Sequence, residues 1–542
     1  MSKKIIVEAK TLVTQDGYKQ HSAADTKEHY TAIVMGAGLS GMATAIQLKR
    51  KFGLGLEDVL VYERSDDVGG TWSVNRYPGA ACDVPFSFYS FSFAPAYDIE
   101  SQWATQESIL KYLHDTQEKF TLNNICFRNA VETATFSRET GLWTLVVRDV
   151  ETDTVRTRTC NILLSCLGGL TVPNDAPFDT KPFDGPVFHS SDWPRDLKLE
   201  DKNVVLVGNG CTAVQILPNI TEAKSVTQVS RSRQAIMRRV HVPDNSLIRF
   251  LLRWIPGYGY FLRCCMYWIM ESHFQISHIE DGAKERTHAK ESIKTYIQEA
   301  APKEYWNKLY PNFDVSGKRR VFDSGYYSAL GKDNVELVAD DEVVSAKGKE
   351  VLTKGGKTIK ADVIVLANGF KVRDYFAPLK IYNDKGEDLK DLLMSNGVRV
   401  YQATVINEYP NFFWIMGPNA ATGHSSVLFT SEAQLSLTFH MIAPVLAELR
   451  KVKLVKPAPY VEVTQDAQER YWQGMRAEMK KRIWEENGGV SWYVDKQTGY
   501  CTALYPWSQT HFWRKCTYPT YSDFAWTNSK KPAGWKAWFG WV

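Results

Sequence analysis

Two glycine-rich turns far apart in the chain, Gly36-Ala-Gly38-Leu-Ser-Gly41 and Gly208-Asn-Gly210-Cys-Thr-Ala213, constrain the fold more than any other feature. Each is entered by a mainly apolar run, Tyr30 to Met35 and Asn203 to Val207. Each then continues as a helical pattern, Met42 to Lys51 in the first and from Thr212 in the second. A strand that breaks on glycines and restarts as a helix opens a βαβ dinucleotide-binding unit, because glycine permits the tight turn and close backbone approach to a pyrophosphate. A further strand follows in both copies, Val59 to Tyr62 and Ser225 to Val229. The chain is therefore predicted to be α/β, with two Rossmann-like dinucleotide-binding domains.

The residues after those second strands differ in charge. Glu63 stands 22 residues past Gly41, where an acid can accept hydrogen bonds from ribose hydroxyls. The corresponding place in the second copy reads Ser230-Arg231-Ser232. A cation and a hydroxyl suit a 2′-phosphate that an acid would repel, so this copy favours NADPH over NADH. Its third glycine position is Ala213, which still allows close helix packing.

Bulk properties narrow the class. At 542 residues two to four domains are expected, and 44% hydrophobic with 23% charged residues is a globular composition. A net charge of +4 over this length gives no case for nucleic acid. The start, Met-Ser-Lys-Lys-Ile-Ile-Val-Glu, is not a secretory signal, and nine cysteines without CxxC or metal-type spacing point to reduced thiols in the cytoplasm. No transmembrane window is present: the nearest, Leu247 to Met270, is interrupted by Arg249, Arg253 and Arg263. The end carries neither a peroxisomal Ser-Lys-Leu nor a CaaX box. The terminal Trp535-Lys-Ala-Trp-Phe-Gly-Trp-Val542 could dip into a membrane interface, but is expected to pack on its own domain.

Residues 1–29 are polar and unpatterned, a mobile lead-in or a surface wrap. The first unit is read over 30–175 and the second over 176–236. A helical, aromatic insertion follows over 237–322, then the return of the second unit over 323–375 and of the first over 376–542. The strands Asn161 to Ser165 and Asp362 to Leu366 run into Cys-Leu-Gly-Gly and Ala-Asn-Gly369, endings suited to crossovers between the units.

Two longer patterns bear on chemistry. Between the glycine turns lies Phe183-Asp-Gly185-Pro-Val-Phe-His189-Ser-Ser-Asp-Trp193-Pro194, and earlier comes Gly69-Gly-Thr-Trp72-Ser-Val-Asn-Arg76-Tyr-Pro-Gly79-Ala-Ala-Cys-Asp83. They resemble the FxGxxxHxxxW(P/D) and GGxWxxxRYPGxxxD patterns of the type I Baeyer–Villiger monooxygenases, and the resemblance runs from about Tyr30 to about Trp513. Gly208–Ala213 and Gly423–Val427 are similar to fungal-like members. Sister flavin monooxygenases usually carry Tyr or Phe at the position of Trp193. The resemblance implies that the first unit binds FAD and the second NADPH. It also implies that a flavin C4a-peroxide inserts oxygen beside the carbonyl of a ketone, giving an ester or lactone. The high aromatic content and the insertion suggest a bulky hydrophobic ketone; O₂ is the second substrate. Oxidation of nitrogen, sulfur or an alkene, and flavin reduction without oxygenation, remain the alternatives.

The same resemblance assigns site residues. Lys318-Arg319, followed by Tyr326-Tyr327 and Asp333-Asn-Val, is similar to the family stretch in which the Arg is catalytic and the Lys lies beside the NADP phosphate. Arg320 is expected to be a surface cation. Asp83 matches the acid that pairs with the catalytic Arg. Gly36, Gly38, Gly41, Glu63, Gly70, Thr71, Trp72, Ala81, Cys82, Val84 and Val131 join it as expected cofactor contacts. So do Gly208, Gly210, Ala213, Arg231 and Ser232. Tyr89 matches a flavin-contacting Tyr, or is a core tyrosine. Trp492 matches a Trp on the nicotinamide or substrate side, and Pro410–Asn419 with Gly423–Val427 resembles the loop over the flavin ring. His189 sits in a linker without an accompanying nucleophile, so coupling of the domains is expected rather than proton transfer.

Overall fold

The computed structural model describes the chain except residues 1–9, 15, 97–100, 241, 243–244, 396, 452–454, 487–490 and 534–542. The Trp-rich tail considered above thus lies outside the described residues.

Strands β1 (Lys10–Val13) and β2 (Lys19–Ser22) form an antiparallel hairpin. The segment after it ends at Asp25, which is fully buried. Asp25 pairs with Arg156 and Arg158 and accepts the hydroxyls of Tyr30 and Tyr62. Buried ion pairing of this kind is costly to leave half-made, so Asp25 ties the segment before β3 to β8.

The first unit begins with β3 (His29–Met35), α1 (Leu39–Phe52) and β4 (Val59–Tyr62). After the short α2 (Thr71–Val74) and α3 (Gln106–Lys119) come β5 (Ile125–Cys126), β6 (Asn129–Ser137), β7 (Leu142–Asp149) and β8 (Val155–Ser165). The parallel strands β8-β3-β4-β5 carry the glycine turn, and β6 and β7 extend the sheet antiparallel. Alternation splits the core across the sheet: Ala32 and Val34 pack on one face, Ile33 and Met35 on the other. β8 starts earlier than its apolar run because Arg156 and Arg158 point to Asp25 rather than to water.

The second unit is a five-stranded parallel sheet. Its strands are β9 (Val187–His189), β10 (Asn203–Val207), β11 (Ser225–Ser230), β14 (Val335–Ala339) and β18 (Val363–Leu366), in the order β14-β11-β10-β18-β9. Helix α4 (Cys211–Ile216) follows its glycine turn. A two-residue parallel ladder of β12 (Ile236–Met237) with β13 (Val321–Phe322) closes the neck of the helical excursion. That excursion holds α5 (Ser246–Trp254), α6 (Tyr258–Ser272), α7 (Ala283–Ala300) and α8 (Trp306–Leu309). Between β14 and β18, β15 (Val343–Lys347), β16 (Glu350–Thr353) and β17 (Thr358–Lys360) form a small antiparallel sheet. Beyond β18, β19 (Lys380–Tyr382) and β20 (Phe412–Trp414) pair with β6 and β8, so the chain returns to the first sheet.

Candidate active site

The first glycine turn is held by close contacts that a side chain would prevent. A Cβ at Gly41 would stand 1.8 Å from the Gly36 carbonyl oxygen, and Gly36 itself has φ +97°. Helix α1 then begins with no acidic residue in its first turn and no side-chain cap, leaving its amides open to an anion. Gly70 lies against Gly38, a Cβ there reaching within 3.0 Å of the Gly38 Cα. At the end of β4, Glu63 accepts the Ala37 amide at 2.7 Å and the Ser65 amide and hydroxyl at 2.8 Å each. A cleft of about 820 Å³ runs from here past Gly70, Thr71, Tyr89 and Val131 to Met416 and Trp492. Backbone amides, a fixed carboxylate and a long, largely apolar groove are a donor set that fits FAD.

Asp83 and Arg319 meet where the two units face each other. The guanidinium engages both carboxylate oxygens, with Nη2 to Oδ2 at 2.6 Å, Nη2 to Oδ1 at 2.8 Å and Nε to Oδ2 at 3.1 Å. The Asp83 charge raises the Arg319 pKa against the opposing effect of burial. The Asp83 segment is also tied to the second unit: Gln215 of α4 donates to the Ala81 carbonyl at 2.9 Å and accepts the Tyr77 hydroxyl at 2.9 Å. Cys82 and Val84 are buried in the apolar core behind it. Trp72 donates its indole N–H to the Tyr89 hydroxyl at 3.1 Å, so Tyr89 is both a packed residue and part of the cleft wall.

In the second turn Gly208 has φ +130°, and a Cβ would lie 2.3 Å from the Ala367 carbonyl oxygen, whereas Ala213 is accommodated without exposure. Gln228, held by the Tyr326 hydroxyl at 2.8 Å, donates to the Gly208 carbonyl. Asn209 donates to the Ser232 carbonyl at 3.1 Å, which places the Arg231–Ser232 turn beside the glycine turn. Arg231 is exposed, while Lys318 is buried, donates to the Arg233 carbonyl at 3.0 Å and covers the Phe313 ring. Burial, and secondarily the Arg231 charge, pull the Lys318 pKa down to about 8.

His189 lies not in a linker but at the end of β9, beside Leu366 of β18, and its hydrogen bonds stay within the second unit. Nδ1 accepts the Ser191 amide at 3.1 Å, which leaves Nε2 to donate to the Gly369 carbonyl at 3.1 Å. Burial lowers its pKa, consistent with a neutral ring tying the end of β9 to the segment that follows β18.

Residues 34–101 match the NAD(P)-binding Rossmann-like domain family. A Baeyer–Villiger monooxygenase of Streptomyces coelicolor is 31% identical over 497 residues, covering 90% of this chain and 91% of the relative. The chain belongs to the Baeyer–Villiger monooxygenases. A Baeyer–Villiger monooxygenase of Pseudomonas aeruginosa is 29% identical over 88% of both chains. Among solved structures, cyclohexanone monooxygenase from Rhodococcus sp. Phi1 bound to NADP⁺ has a TM-score of 0.78 at 22% identity, covering 92% of this chain and 99% of that one. An oxidised steroid monooxygenase bound to NADP has the same TM-score and coverage at 23% identity.

In this Baeyer–Villiger monooxygenase the expectation for Arg320 fails. It is half-buried near Tyr493 and Arg319, and its pKa is lowered by burial. A run of three cations reads as a solvated face in a sequence, but here the run crosses the junction of two units. Sequence reasoning also missed Tyr493, whose pKa burial pushes up to about 12 and the Arg319 charge partly restores. Its only signal was adjacency to Trp492, which is itself partly exposed and stacks edge-on against it at 4.7 Å. Gln215 carried no signal, because its role is to join loops that are distant in sequence.

Proposed function

We propose that the chain uses NADPH and O₂ to convert a bulky hydrophobic ketone into an ester or lactone, in the balance ketone + O₂ + NADPH + H⁺ → ester + H₂O + NADP⁺. The observation that carries this reading is the bidentate Arg319–Asp83 pair at the junction of the two dinucleotide units. When bound, FAD accepts hydride from NADPH and activates oxygen. Arg319 would offset negative charge developing on oxygen next to the carbonyl carbon, an electrostatic role that gains strength where water is excluded. Asp83 would hold the planar guanidinium in one orientation, which a lysine could not offer. Gly36, Gly38, Gly41, Glu63, Gly70 and Thr71 would hold FAD. Arg231, Ser232 and Lys318 would hold the 2′-phosphate of NADPH. Trp492, Tyr89 and Met416 would wall the flavin cleft from water. No helix of the described residues is long and apolar enough to cross a membrane. The nine free cysteines support a reducing compartment, and on that ground we place the enzyme in the cytoplasm.

The test is a ketone panel with NADPH and O₂, products read by mass. Ketone-derived products heavier by one oxygen and hydrolysable as esters support the reading. N- or S-oxides in place of esters, or hydrogen peroxide with no oxygenated product from any ketone, would overturn it.

A further inference from the structure

Exposed apolar surface is concentrated in one place. Of the 22 large hydrophobic or aromatic side chains that stand exposed among the described residues, eight fall between Leu247 and Ile269, on α5 and α6 and the turn joining them. Leu247, Phe250 and Trp254 recur at i, i+3 and i+7 along α5 and share one side of it. Phe261 and Trp268 do the same on α6, with Ile269 beside them. All six are more than half exposed. Exposed apolar residues concentrated in this way on two successive helices mark an interaction surface rather than the scatter normal for a monomer.

The opposite side of α6 is anchored. Arg263 is buried and donates to the Ser87 and Ser90 carbonyls at 2.9 and 3.0 Å, and Met266, Tyr267 and Met270 pack on the first unit's core. Glu271 at the helix end binds His424 at 3.0 Å, in the 423–427 segment beside the cleft. The exposed face is therefore held outward by a rigid attachment.

Charge chooses the occupant. From Asn245 to Met270 the sequence holds no acidic residue, and two of its three arginines, Arg249 and Arg253, are exposed. Arg249 and Arg253 lie one turn apart on α5, flanking the apolar face rather than interrupting it. Trp254, Tyr260 and Trp268 are the residue types that settle at headgroup level. An amphipathic helix with aromatic and aliphatic residues on one face and arginines at its edge lies in the plane of an anionic bilayer.

We propose that α5 and α6 form a monotopic docking face for an anionic phospholipid surface, with Leu247, Phe250, Trp254, Phe261 and Trp268 entering the headgroup region. The contact is peripheral and reversible, weakened by salt through its arginines and by any charge placed in its apolar face.

The FAD-loaded full chain is mixed with vesicles of phosphatidylcholine alone or with 30% phosphatidylserine, about a third anionic lipid, and sedimented. Expected is binding to the anionic vesicles that falls with added salt. Phe250→Glu and Phe261→Glu should each cut the bound-to-free ratio roughly tenfold or more, since a large apolar side chain then no longer leaves water. Both variants should keep flavin absorbance and NADPH turnover, because neither residue is in the cleft. Cys264 is the exposed cysteine of the chain and lies on the same side of α6, so an environment-sensitive dye there should shift to shorter wavelength on anionic vesicles. Failure of the wild type to bind either vesicle would overturn the proposal. So would wild-type dimerisation that Phe250→Glu and Phe261→Glu abolish, which would make the occupant a second copy. Binding lost on removing residues 535–542 but kept in both Glu variants would place the contact in the tail, and would equally overturn it. None of these outcomes depends on which compound the enzyme oxidises.

Discussion

The two dinucleotide units of this chain place different residues at equivalent points, and the differences sort into packing and charge. In the first, the third glycine is compulsory, since a Cβ at Gly41 would lie 1.8 Å from the Gly36 carbonyl oxygen. In the second, Ala213 occupies that place and is wholly buried without conflict. The first glycine of each turn faces the carbonyl at the end of the neighbouring strand, Cys166 for Gly36 and Ala367 for Gly208. Packing thus fixes the first glycine in both units and the third in only one. Charge separates them further: the residue after β4 is the acid Glu63, and the residue after β11 is the cation Arg231, whose charge acts on Lys318.

The sharpest test of the packing difference is a pair of reciprocal changes. Gly41→Ala must displace backbone, so the purified protein is expected to lose flavin absorbance altogether. Ala213→Gly should cost about 1 kcal/mol in helix stability and leave the NADPH KM within a few-fold of wild type. A Gly41→Ala protein that retains stoichiometric FAD would break the comparison.

Next in size is the group that joins the units. Arg319→Ala is expected to lower ester formation on the order of 10²–10³ while NADPH oxidation continues with release of hydrogen peroxide. Arg319→Lys should recover little, because a point charge cannot reproduce the fork held by Asp83. Ester formation at the wild-type rate in Arg319→Ala would remove this residue from the mechanism.

How far these sites were legible in the sequence follows the same division. The parallel strands at the centres of both sheets are short apolar runs ending in glycine, and β4 and β10 begin and end where those runs do. β8 begins at Val155, ahead of the apolar run that starts at Asn161: its outer half alternates Arg156, Thr157 and Arg158, and the buried Asp25 explains two arginines in a strand. Residues inside contiguous patterns, such as Asp83 and Arg319, could be named before their contact was known. Arg320 and Tyr493 could not be placed correctly. Their surroundings are made by three segments far apart in the chain, and no local period carries that information.

The charge difference is tested by Arg231→Ala. Loss of one charge-assisted hydrogen bond should weaken NADPH binding by about 1.5–3 kcal/mol, roughly tenfold to a hundredfold in KM, with NADH kinetics nearly unchanged. Equal losses with both coenzymes would refute a role at the 2′-phosphate and leave the two units alike in what they recognise.

The smallest effect concerns the second cation, and it sharpens the comparison because Glu63 has no counterpart to it. The pKa of Lys318 is pulled down to about 8, first by burial and then by Arg231. A lowered amine pKa means that the positive charge is complete well below pH 8 and disappears as pH rises through it. If that charge attracts the 2′-phosphate, kcat/KM for NADPH, which reports groups on the free enzyme, should fall several-fold between pH 7 and 9. The NADH profile should lack that limb, so the ratio of the two coenzymes isolates it. Arg231→Ala removes a like charge, and the limb in the residual NADPH activity should then move to higher pH. Parallel NADPH and NADH profiles across this range would show that the Lys318 ammonium serves only the Arg233 carbonyl and the Phe313 ring it already touches.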